Sequence, residues 1–327
     1  IGLKELHGWR DVNVPITVQD TIQLFQEKGL LEERYSGSAE ASTIIEKQPK
    51  EILVSADNLR YEYPGGVEAL KGVSFAIHKG EWLMILGRNG AGKSTLANLL
   101  VGLKKPTSGT LNLFGGNASQ WDVQTLANHI ALVFQNPEHQ FLTDSVWDEI
   151  GYSLMALGID DPVEVEQTTE KWLEKLGLLD EKDRHPFSLS AGLKRRLGVA
   201  TMLVGEPQLL LVDEPTYGQD KEMTFTLMAL MEEIRAQEVA VVMITHDMRL
   251  VQEYAQRVLV MSDGKIIYDG LSSVLFGEEK ILHQANLRKT ILHDLLKEMS
   301  LHGAPVRSSV RKTSDLKEVL KARIIAE

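Results

Sequence analysis

The sequence contains no cysteine, and this absence excludes two kinds of chemistry. A chain without cysteine forms no disulfide framework and uses no thiolate as a nucleophile or metal ligand. The absence agrees with a cytosolic setting, where disulfides are rare. No apolar run approaches the roughly 18 residues that a membrane-spanning helix needs. The first residues also lack the pattern of a signal peptide.

Basic residues are fewer than acidic ones, 35 against 46, which gives a net charge of −11. This balance argues against a protein that coats nucleic acid, although a local basic patch stays possible. With 43% hydrophobic and 25% charged residues, the composition is typical of globular proteins. The 327 residues suffice for one large domain with extensions or for two smaller domains. Because the sequence does not begin with Met, we interpret it as a fragment of a longer protein or a processed product.

A glycine-rich segment between a predicted strand and a predicted helix is the strongest feature present. The apolar run 82–86 predicts a buried strand, and residues 95–100 continue without a helix breaker. The segment between them matches G-x-x-x-x-G-K-[ST], the phosphate-binding P-loop. An ordinary glycine-rich turn is the alternative, and the coincidence of strand, loop, lysine and serine argues against it. The candidate contacts are Gly87, Arg88, Asn89, Gly90, Ala91, Gly92, Lys93, Ser94 and Thr95.

Each part of this segment has a physical role toward a phosphate. Backbone N–H groups curl around an anion, and the helix N-terminus behind them adds positive potential. Lys93 would contact the β- and γ-phosphates, and the Ser94 hydroxyl would ligate Mg²⁺. The sequence therefore predicts a site for a nucleoside triphosphate with its magnesium ion.

Two carboxylates end another apolar run. Residues 208–212 predict a buried strand, and Asp213 and Glu214 follow it. In P-loop enzymes an acid at such a strand end holds the Mg²⁺ shell, directly or through water, and we assign this role to Asp213. Glu214 would polarise a water directed at the γ-phosphate. Solvated acids end many strands, so both assignments depend on the P-loop about 120 residues earlier.

A histidine ends the next predicted strand, 239–245. Ligands of parallel sheets bind at the carboxyl ends of the strands. His246 would therefore contact the γ-phosphate and orient Glu214 or its water. Taken alone, it would be interpreted as a structural histidine, and the neighbouring motifs favour the functional interpretation.

Two further segments carry weaker signals. Gln135 follows the predicted strand 130–134 and could ligate Mg²⁺ and sense the γ-phosphate, with an ordinary surface amide as the alternative. Ser190 and Gly192 lie at the start of a predicted basic helix, whose N-terminus could bind an anion. The alternative for this helix is a capped N-terminus with a solvated positive face.

The order of strands and helices predicts an α/β fold. Strands alternate with helices through the core, which is typical of a parallel sheet with helices on both faces. Residues 144–205 are mostly helical, and a last hairpin turns on Asp263 and Gly264. The predicted strands are 51–61, 73–77, 82–86, 109–116 with a turn, 130–134, 208–212, 239–245, 257–262 and 265–268.

The two ends of the chain are predicted to be helical additions. Thr17, with Asp20 at the third position, can cap a helix that stops near Gly29. Its apolar side would consist of Ile22, Leu24 and Phe25. Residues 36–43 are small and polar and predict a linker, so 1–50 would be an extension, for example the tail of a preceding domain.

The region 272–327 contains two apolar stripes. Packing of these stripes on their own chain is favoured over a dimer or partner surface. Asp315 with Glu318 can cap the second helix. The first stripe consists of Leu287, Ile291, Leu292, Leu295, Leu296 and Met299, and the second of Leu316, Val319, Leu320 and Ile324.

These motifs together resemble one family, the nucleotide-binding subunits of ABC transporters. The match covers about 51–271. Its marks are the P-loop, Gln135, the signature-like segment 189–192, the segment 213–216 that begins with Asp213 and Glu214, and the segment 245–247 that contains His246. The resemblance implies a P-loop core of ABC type: a mainly parallel sheet, an antiparallel β subdomain and an inserted helical subdomain at about 137–205. The region 272–327 would be a C-terminal helical extension.

The resemblance also implies ligands and partners. Such subunits bind ATP and Mg²⁺ in head-to-tail dimers, with each ATP held between one P-loop and the other domain's signature. Tyr63 lies where the family stacks an aromatic ring on adenine, with Tyr61 a weaker candidate. Gln219 and Asp220 lie in the loop that the family uses for communication between sites.

A narrower resemblance is to the ATPase of energy-coupling-factor importers, which take up vitamins and transition metals. It is carried by residues 134–141 and 146–150 and by the C-terminal helical region. The expected function is thus an ATP-hydrolysing motor subunit, peripheral on the cytoplasmic face of the membrane, with integral-membrane partners. A second ATPase domain would complete it, and the chain would suit the second half of a tandem ATPase. Alternatives are an ABC ATPase of translation or DNA repair, and a sensor that binds ATP without turnover.

The signature-like segment departs from the family's usual Leu-Ser-Gly-Gly-Gln. Ala191 replaces a glycine, and Leu193 replaces the glutamine. Ser190 and Gly192 remain, so the hydroxyl and the close backbone approach are kept, while a polar contact to the partner's nucleotide is lost. We therefore expect the ATP site that borrows this signature to hydrolyse more slowly than the site on this chain's own P-loop.

Overall fold

The computed structural model describes residues 17–27, 51–133, 141–215, 221–302 and 310–318. Its strands are β1 Ile52–Tyr63, β2 Val67–His78, β3 Trp82–Leu86, β4 Ser108–Leu113, β5 Gly116–Asn117, β6 Ile130–Val133, β7 Leu209–Asp213, β8 Ala240–Ile244, β9 Arg257–Ser262 and β10 Lys265–Leu271. Its helices are α1 Val18–Glu27, α2 Lys93–Leu100, α3 Val123–Ala127, α4 Val146–Ala156, α5 Pro162–Lys175, α6 Ala191–Leu203, α7 Lys221–Ala236, α8 Met248–Tyr254, α9 Ser272–Leu275, α10 Glu279–Gln284 and α11 Ile291–Leu301.

Six strands form the central sheet in the order β10-β9-β3-β8-β7-β6. Neighbouring strands are parallel, except that β10 pairs antiparallel with β9. Every residue of β3 and β8 is buried, as expected for apolar runs covered on both faces. The predicted, mainly parallel sheet is confirmed.

Alternate side chains of β3 enter two different cores. Trp82, Met84 and Leu86 pack with the helices on one face of the sheet. Leu83 and Ile85 pack on the other face with α2 and a second, antiparallel sheet. The period of two along a strand produces this division. As a result, α2 and the loop before it lie on the side of the central sheet that faces the antiparallel sheet.

The antiparallel sheet has the order β2-β1-β4-β5. Its first two strands form a hairpin around Pro64, Gly65 and Gly66, where both glycines have positive φ, 114° and 84°. The turn lies where the sequence predicts it. The second strand begins at Val67, six residues earlier than predicted, because pairing with β1 continues through Leu70 and Lys71.

A helical insertion, α4 to α6, connects β6 to β7. Each helix has a side-chain cap of the type expected at an N-terminus: the Ser145, Asp161 and Ser190 side chains accept from Asp148, Val163 and Leu193 N–H groups. Between residues 144 and 205, the insertion is mostly helical, as predicted. Residues 137–140 of the predicted insertion lie outside the described residues.

Helix α1 begins with the predicted reciprocal cap. The Thr17 N–H donates to Asp20 Oδ2, and the Asp20 N–H donates to Thr17 Oγ1, both at 3.0 Å. Ile22 and Phe25 are buried, and α1 packs against α11. Gly29 and the predicted linker 36–43 lie outside the described residues.

The predicted apolar stripe from Leu287 is wrong in its first part. Helix α10 ends at Gln284, and Thr290 caps α11, so Leu287 lies outside the helix. Ile291, predicted within the stripe, has 78% of its surface exposed, whereas Met299 is buried. The contact between α11 and α1 covers part of this helix within the chain.

The predicted cap at Asp315 is also wrong. Helical backbone already begins at residue 313, so Asp315 occupies the third helical position. Its Oδ2 accepts from the backbone N–H groups of Arg311 and Lys312, at 3.0 and 2.8 Å. An acid at this position satisfies free N–H groups just as a cap does, which explains the shift of three residues in the start of the helix. Val319, Leu320 and Ile324 lie outside the described residues.

This C-terminal segment contacts α8. Lys312 Nζ lies 4.1 Å from the centroid of the Tyr254 ring, and Tyr254 stacks on Trp82 at 5.7 Å between centroids. Arg311 Nη1 donates to the Ala255 carbonyl at 3.2 Å. Within the described residues, no helix is long and apolar enough to cross a membrane.

Candidate functional site

Three strand ends meet at one edge of the central sheet. Ile85 of β3 lies opposite Ile244 of β8, and Asp213 of β7 lies opposite the same residue on the other side. The ladder continues past the strands, since the Glu214 N–H donates to the Ile244 carbonyl and the Thr245 N–H to the Ile85 carbonyl, at 2.9 and 3.2 Å. The P-loop, the two carboxylates and His246 therefore follow adjacent strand ends.

Two glycines of the P-loop are required by close packing. Gly92, at φ 103°, caps α2, and a Cβ there would lie 2.6 Å from the Ala69 carbonyl oxygen. A Cβ on Gly87, at φ 148°, would lie 2.3 Å from the Met261 carbonyl oxygen. Only glycine lets the chain pass this close to its neighbours. Arg88, Asn89, Gly90 and Ser94, by contrast, are exposed, which leaves the outer side of the loop open to a ligand.

The turn between β9 and β10 supports the loop from behind. The Gly264 N–H donates to the Ala91 carbonyl at 3.2 Å, and the Lys71 N–H donates to the Gly264 carbonyl at 2.8 Å. Both turn residues, Asp263 and Gly264, have positive φ, as the Asp-Gly hairpin signal predicts. The P-loop is thus held between the central sheet and this turn.

Lys93 is a buried cation with carbonyl partners. Its ammonium donates to the carbonyls of Gly87 and Arg88, at 2.8 and 3.2 Å, and only 8% of the residue is exposed. Burial lowers the pKa of Lys93, and the negative charges of Glu214 and Asp213 oppose this shift. A positive charge with little hydration favours an anionic ligand within its reach.

Asp213 is the carboxylate that fits a cation site. Burial raises the pKa of Asp213, repulsion from Glu214 raises it further, and Lys93 lowers it in part. A divalent cation reverses this balance, because it stabilises the ionised carboxylate that burial disfavours. An oxygen donor in this state suits Mg²⁺, and the exposed Ser94 hydroxyl on the P-loop offers a second oxygen donor.

Glu214 and His246 form a direct pair. Glu214 Oε1 and His246 Nδ1 lie 2.8 Å apart, with 19% of the glutamate side chain and 65% of the histidine side chain exposed. Because an ionised carboxylate only accepts, Nδ1 carries the proton and donates. Glu214 also has φ 46°, a left-handed backbone that is rare outside glycine and costs about 1–3 kcal/mol. The predicted proximity of His246 to Glu214 is present in the structure.

Tyr63 lies beside the P-loop helix. Its hydroxyl is 3.0 Å from Thr95 Oγ1, and its ring meets Tyr61 edge to face with centroids 5.0 Å apart. Sequence reasoning missed this role of the Thr95 hydroxyl, because 32 residues separate the partners and no local signal joins them. Tyr63 is therefore held against the first turn of α2.

The signature-like segment forms a separate feature. Ser190 is exposed and caps α6, and within the described residues no hydrogen bond joins Ser190 to the P-loop. Gly192 is buried in the first turn of α6. Gln135, Gln219 and Asp220 lie outside the described residues, so their predicted roles stay predictions.

Comparison with known proteins agrees with these features. A family model described as ABC transporter matches residues 70–217. YkoD of Bacillus subtilis, provisionally named an HMP/thiamine import ATP-binding protein, is 40% identical over 225 residues, which cover 68% of this chain and 40% of YkoD. An ABC transporter ATP-binding protein of Methanosarcina acetivorans, also provisionally named, is 36% identical over 84% of this chain and 44% of its own length. The chain thus spans less than half the length of these relatives.

Solved structures extend the similarity to the fold. The structure of cbiO1 from Clostridium perfringens, described as part of the ABC transporter complex cbiONQ, has a TM-score of 0.65 and 32% identity. It covers 76% of this chain and 100% of its own. A dimeric ATP-binding cassette in a post-hydrolysis state, with ADP and Pi bound, has a TM-score of 0.60 and 25% identity over 67% of this chain and 98% of its own. The chain therefore belongs to the ABC transporter family, among its ATP-binding domains.

Proposed function

We propose that this chain binds and hydrolyses ATP and so drives a membrane importer of the energy-coupling-factor type. The observation that carries the proposal is the Glu214–His246 pair at the sheet edge that also holds the P-loop. The import role is supported by the name of YkoD, and the transporter role also by cbiO1 as part of the ABC transporter complex cbiONQ. An ABC ATPase of translation or DNA repair gains no support from these names.

Each residue of the site has a part in hydrolysis. The P-loop N–H groups, which include those of Gly90 and Gly92, bind and orient the phosphates, and Lys93 exchanges its two carbonyl partners for phosphate oxygens. Glu214 orients a water in line with the γ-phosphate and accepts its proton. His246 holds the Glu214 carboxylate in place through Nδ1, which leaves Nε2 to contact the γ-phosphate.

The metal site of this proposal uses Ser94, Asp213 and Gln135. When bound, Mg²⁺ neutralises charge on the transferring phosphoryl group. The raised pKa of Asp213 and the exposed Ser94 hydroxyl support this assignment from the chain's own side. Tyr63 holds the adenine base by stacking.

The assembly of this proposal is a pair of ATPase domains on the cytoplasmic face of a membrane. Each ATP lies between one P-loop and the other domain's Ser190 and Gly192, and binding closes the pair. The second domain is a copy of this chain or a related one. The cargo, a vitamin or metal micronutrient, is bound by integral-membrane partners, which a mild-detergent pull-down from native membranes would identify.

The substitution Glu214→Gln tests the hydrolytic role. It keeps the size and hydrogen-bonding capacity of the side chain but removes the base, so ATP binding is retained. We expect phosphate release to fall by about 10²–10⁴-fold, the range of general-base contributions. Phosphate release and ATP affinity are measured on the same preparation.

The matched control is Glu233→Gln on the exposed side of α7, which makes the same charge change away from the site. It should hydrolyse ATP like the parent chain. Turnover of Glu214→Gln at the parent rate would refute the assignment of the base. Failure of the parent chain to bind ATP would refute the proposed function as a whole.

A further inference from the structure

Four side chains from three parts of the fold form a cluster beside the P-loop helix. We call Tyr61, Tyr63, Thr95 and Lys104 the tyrosine–lysine cluster. Lys104 Nζ donates to Tyr61 Oη at 3.2 Å and lies 4.8 Å from the centroid of the Tyr63 ring and 5.2 Å from that of Tyr61. These are distances at which a cation attracts an aromatic face. The cluster thus holds Tyr63 by an edge contact, a hydroxyl contact and a cation.

Helix α2 fixes both ends of this cluster. Thr95 lies in its first turn and reaches the Tyr63 hydroxyl at 3.0 Å. Lys104 follows its last turn, where its backbone N–H donates to the Asn98 carbonyl at 3.1 Å. The same helix begins at Lys93 of the P-loop. The position of the Tyr63 ring is therefore set relative to the phosphate loop by one rigid element of eight residues.

The fixed position of the Tyr63 ring relative to the P-loop matters only for a ligand that contacts both the ring and the loop. A nucleotide spans the gap between its phosphates and its base, whereas inorganic triphosphate contacts the loop alone. Ordering a mobile aromatic side chain on binding reduces affinity, and a ring already held in place avoids that loss. A side chain that holds the ring can thus affect base binding without touching the base.

We infer that Lys104 is a positioning residue for the nucleotide base: it holds Tyr63 as a stacking platform in register with the P-loop. This inference rests on the proposed ATP-binding function. It predicts that loss of the Lys104 cation weakens binding of ATP but not of inorganic triphosphate.

The experiment compares Lys104→Met, which keeps most of the aliphatic stem, with the parent chain by calorimetric titration of ATP and of inorganic tripolyphosphate. We expect the Kd for ATP to rise about three- to tenfold, the effect of one side chain left to be ordered on binding. The Kd for tripolyphosphate stays within about twofold, since the P-loop is unchanged. Lys104→Arg keeps a cation over the rings and should restore ATP affinity.

The matched control is Lys105→Met, which removes the same charge from the exposed neighbouring position and should leave both affinities unchanged. Thermal melts of all variants, with Lys104→Gln as a second charge-removing variant, verify folding. Parent-like ATP binding by Lys104→Met and Lys104→Gln would overturn the inference, as would equal weakening of ATP and tripolyphosphate. If the parent chain itself fails to bind ATP, the proposed function falls and this inference with it.

Discussion

At the residue scale, Asp213 is a residue of the site that lowers the stability of the fold. Its pKa is raised chiefly by burial and then by Glu214, so ionising this carboxyl lowers the stability of the folded chain. Such costs recur at functional sites, where residues are selected for a ligand that stabilises them only when it is bound. In the ligand-free protein, the ionised form of Asp213 lowers the stability of the fold.

We predict that Asp213→Asn stabilises the ligand-free protein at pH 7 by about 0.5–2 kcal/mol, the usual size of a stabilising substitution, and abolishes magnesium-dependent hydrolysis. An acid with a raised native pKa binds its proton more tightly when folded, so stability falls as pH rises from the ordinary value of 3.8 through the native pKa. The advantage of asparagine is therefore largest above the native pKa and vanishes below about 3.8. Thermal melts of both proteins across this pH range measure the effect.

A variant less stable than the parent at pH 7 would contradict this account, as would an advantage that grows toward low pH. Asp180→Asn on the exposed surface of the insertion makes the same chemical change and should alter neither stability nor its pH dependence.

The residues of this site could be predicted from the sequence because each belongs to a motif that follows the end of a predicted strand. The P-loop, Asp213, Glu214 and His246 each follow an apolar run, and parallel strands bring such positions to one edge. The contacts of Thr95 and Lys104 with the tyrosines could not be found this way. They join positions 32 and 43 residues apart, through packing that no local pattern records.

At the scale of elements, the β9–β10 turn acts on the P-loop through Gly264. This residue has φ 78°, and a Cβ there would lie 2.8 Å from the Ala69 carbonyl oxygen. An added methyl group would therefore push the turn away from the Ala91 carbonyl, to which the Gly264 N–H donates.

We predict that Gly264→Ala destabilises the protein by about 1–2 kcal/mol, the cost of a left-handed backbone at a non-glycine residue, and raises the Kd for ATP several-fold. Gly158→Ala separates the two effects, because Gly158 has a similar φ of 88° with no atom within 4 Å of an added Cβ. It should lose stability only. Thermal melts and ATP titrations give the two quantities, and unchanged ATP affinity in Gly264→Ala would contradict the supporting role of the turn.

The elements themselves were predicted where periodicity and turn residues agree. Strand β3 has the predicted bounds 82–86, and the Asp263–Gly264 hairpin lies where its dipeptide indicates. Pairing extends β1 and β2 beyond their apolar runs, since backbone hydrogen bonds do not require apolar side chains. The stripe from Leu287 failed because its spacing fits one helix, while the chain breaks between Gln284 and Thr290.

At the scale of the whole molecule, the altered signature bears on the proposed pair of ATPase domains. Leu193 is half-buried and packs against the hydrophobic core between the central sheet and the helices on one of its faces. Ala191 is exposed at the first helical position. The leucine thus contributes to packing within this chain, at the position where the family's usual signature has a glutamine.

We predict that Ala191→Gly combined with Leu193→Gln raises turnover of the full assembly about three- to tenfold, the worth of one recovered hydrogen bond in the transition state. Steady-state phosphate release from the assembly measures it. Leu193→Ala removes the same packing without adding an amide and should bring no rise. Equal turnover in the double variant and the parent would refute the asymmetry of the two sites.

Contacts between distant parts of the chain were the least predictable. The sequence marks α1 and α11 as helices with apolar sides, but it does not show that they pack on each other. The contact of Lys312 with Tyr254 is equally hidden, because a lysine beside a polar segment reads as a solvated charge. Long-range pairing depends on the assembled fold, which composition and spacing do not record.

The segment 310–318 covers an aromatic surface of the fold. Lys312 covers the ring of Tyr254, which in turn covers Trp82 at the start of the strand that leads to the P-loop. A chain that loses residues 310–318 would uncover an aromatic surface without losing any residue of the site. Exposed apolar surface of this kind promotes aggregation and recruits chaperones and proteases. Loss of this segment would thus lower the amount of folded protein without changing any residue of the site.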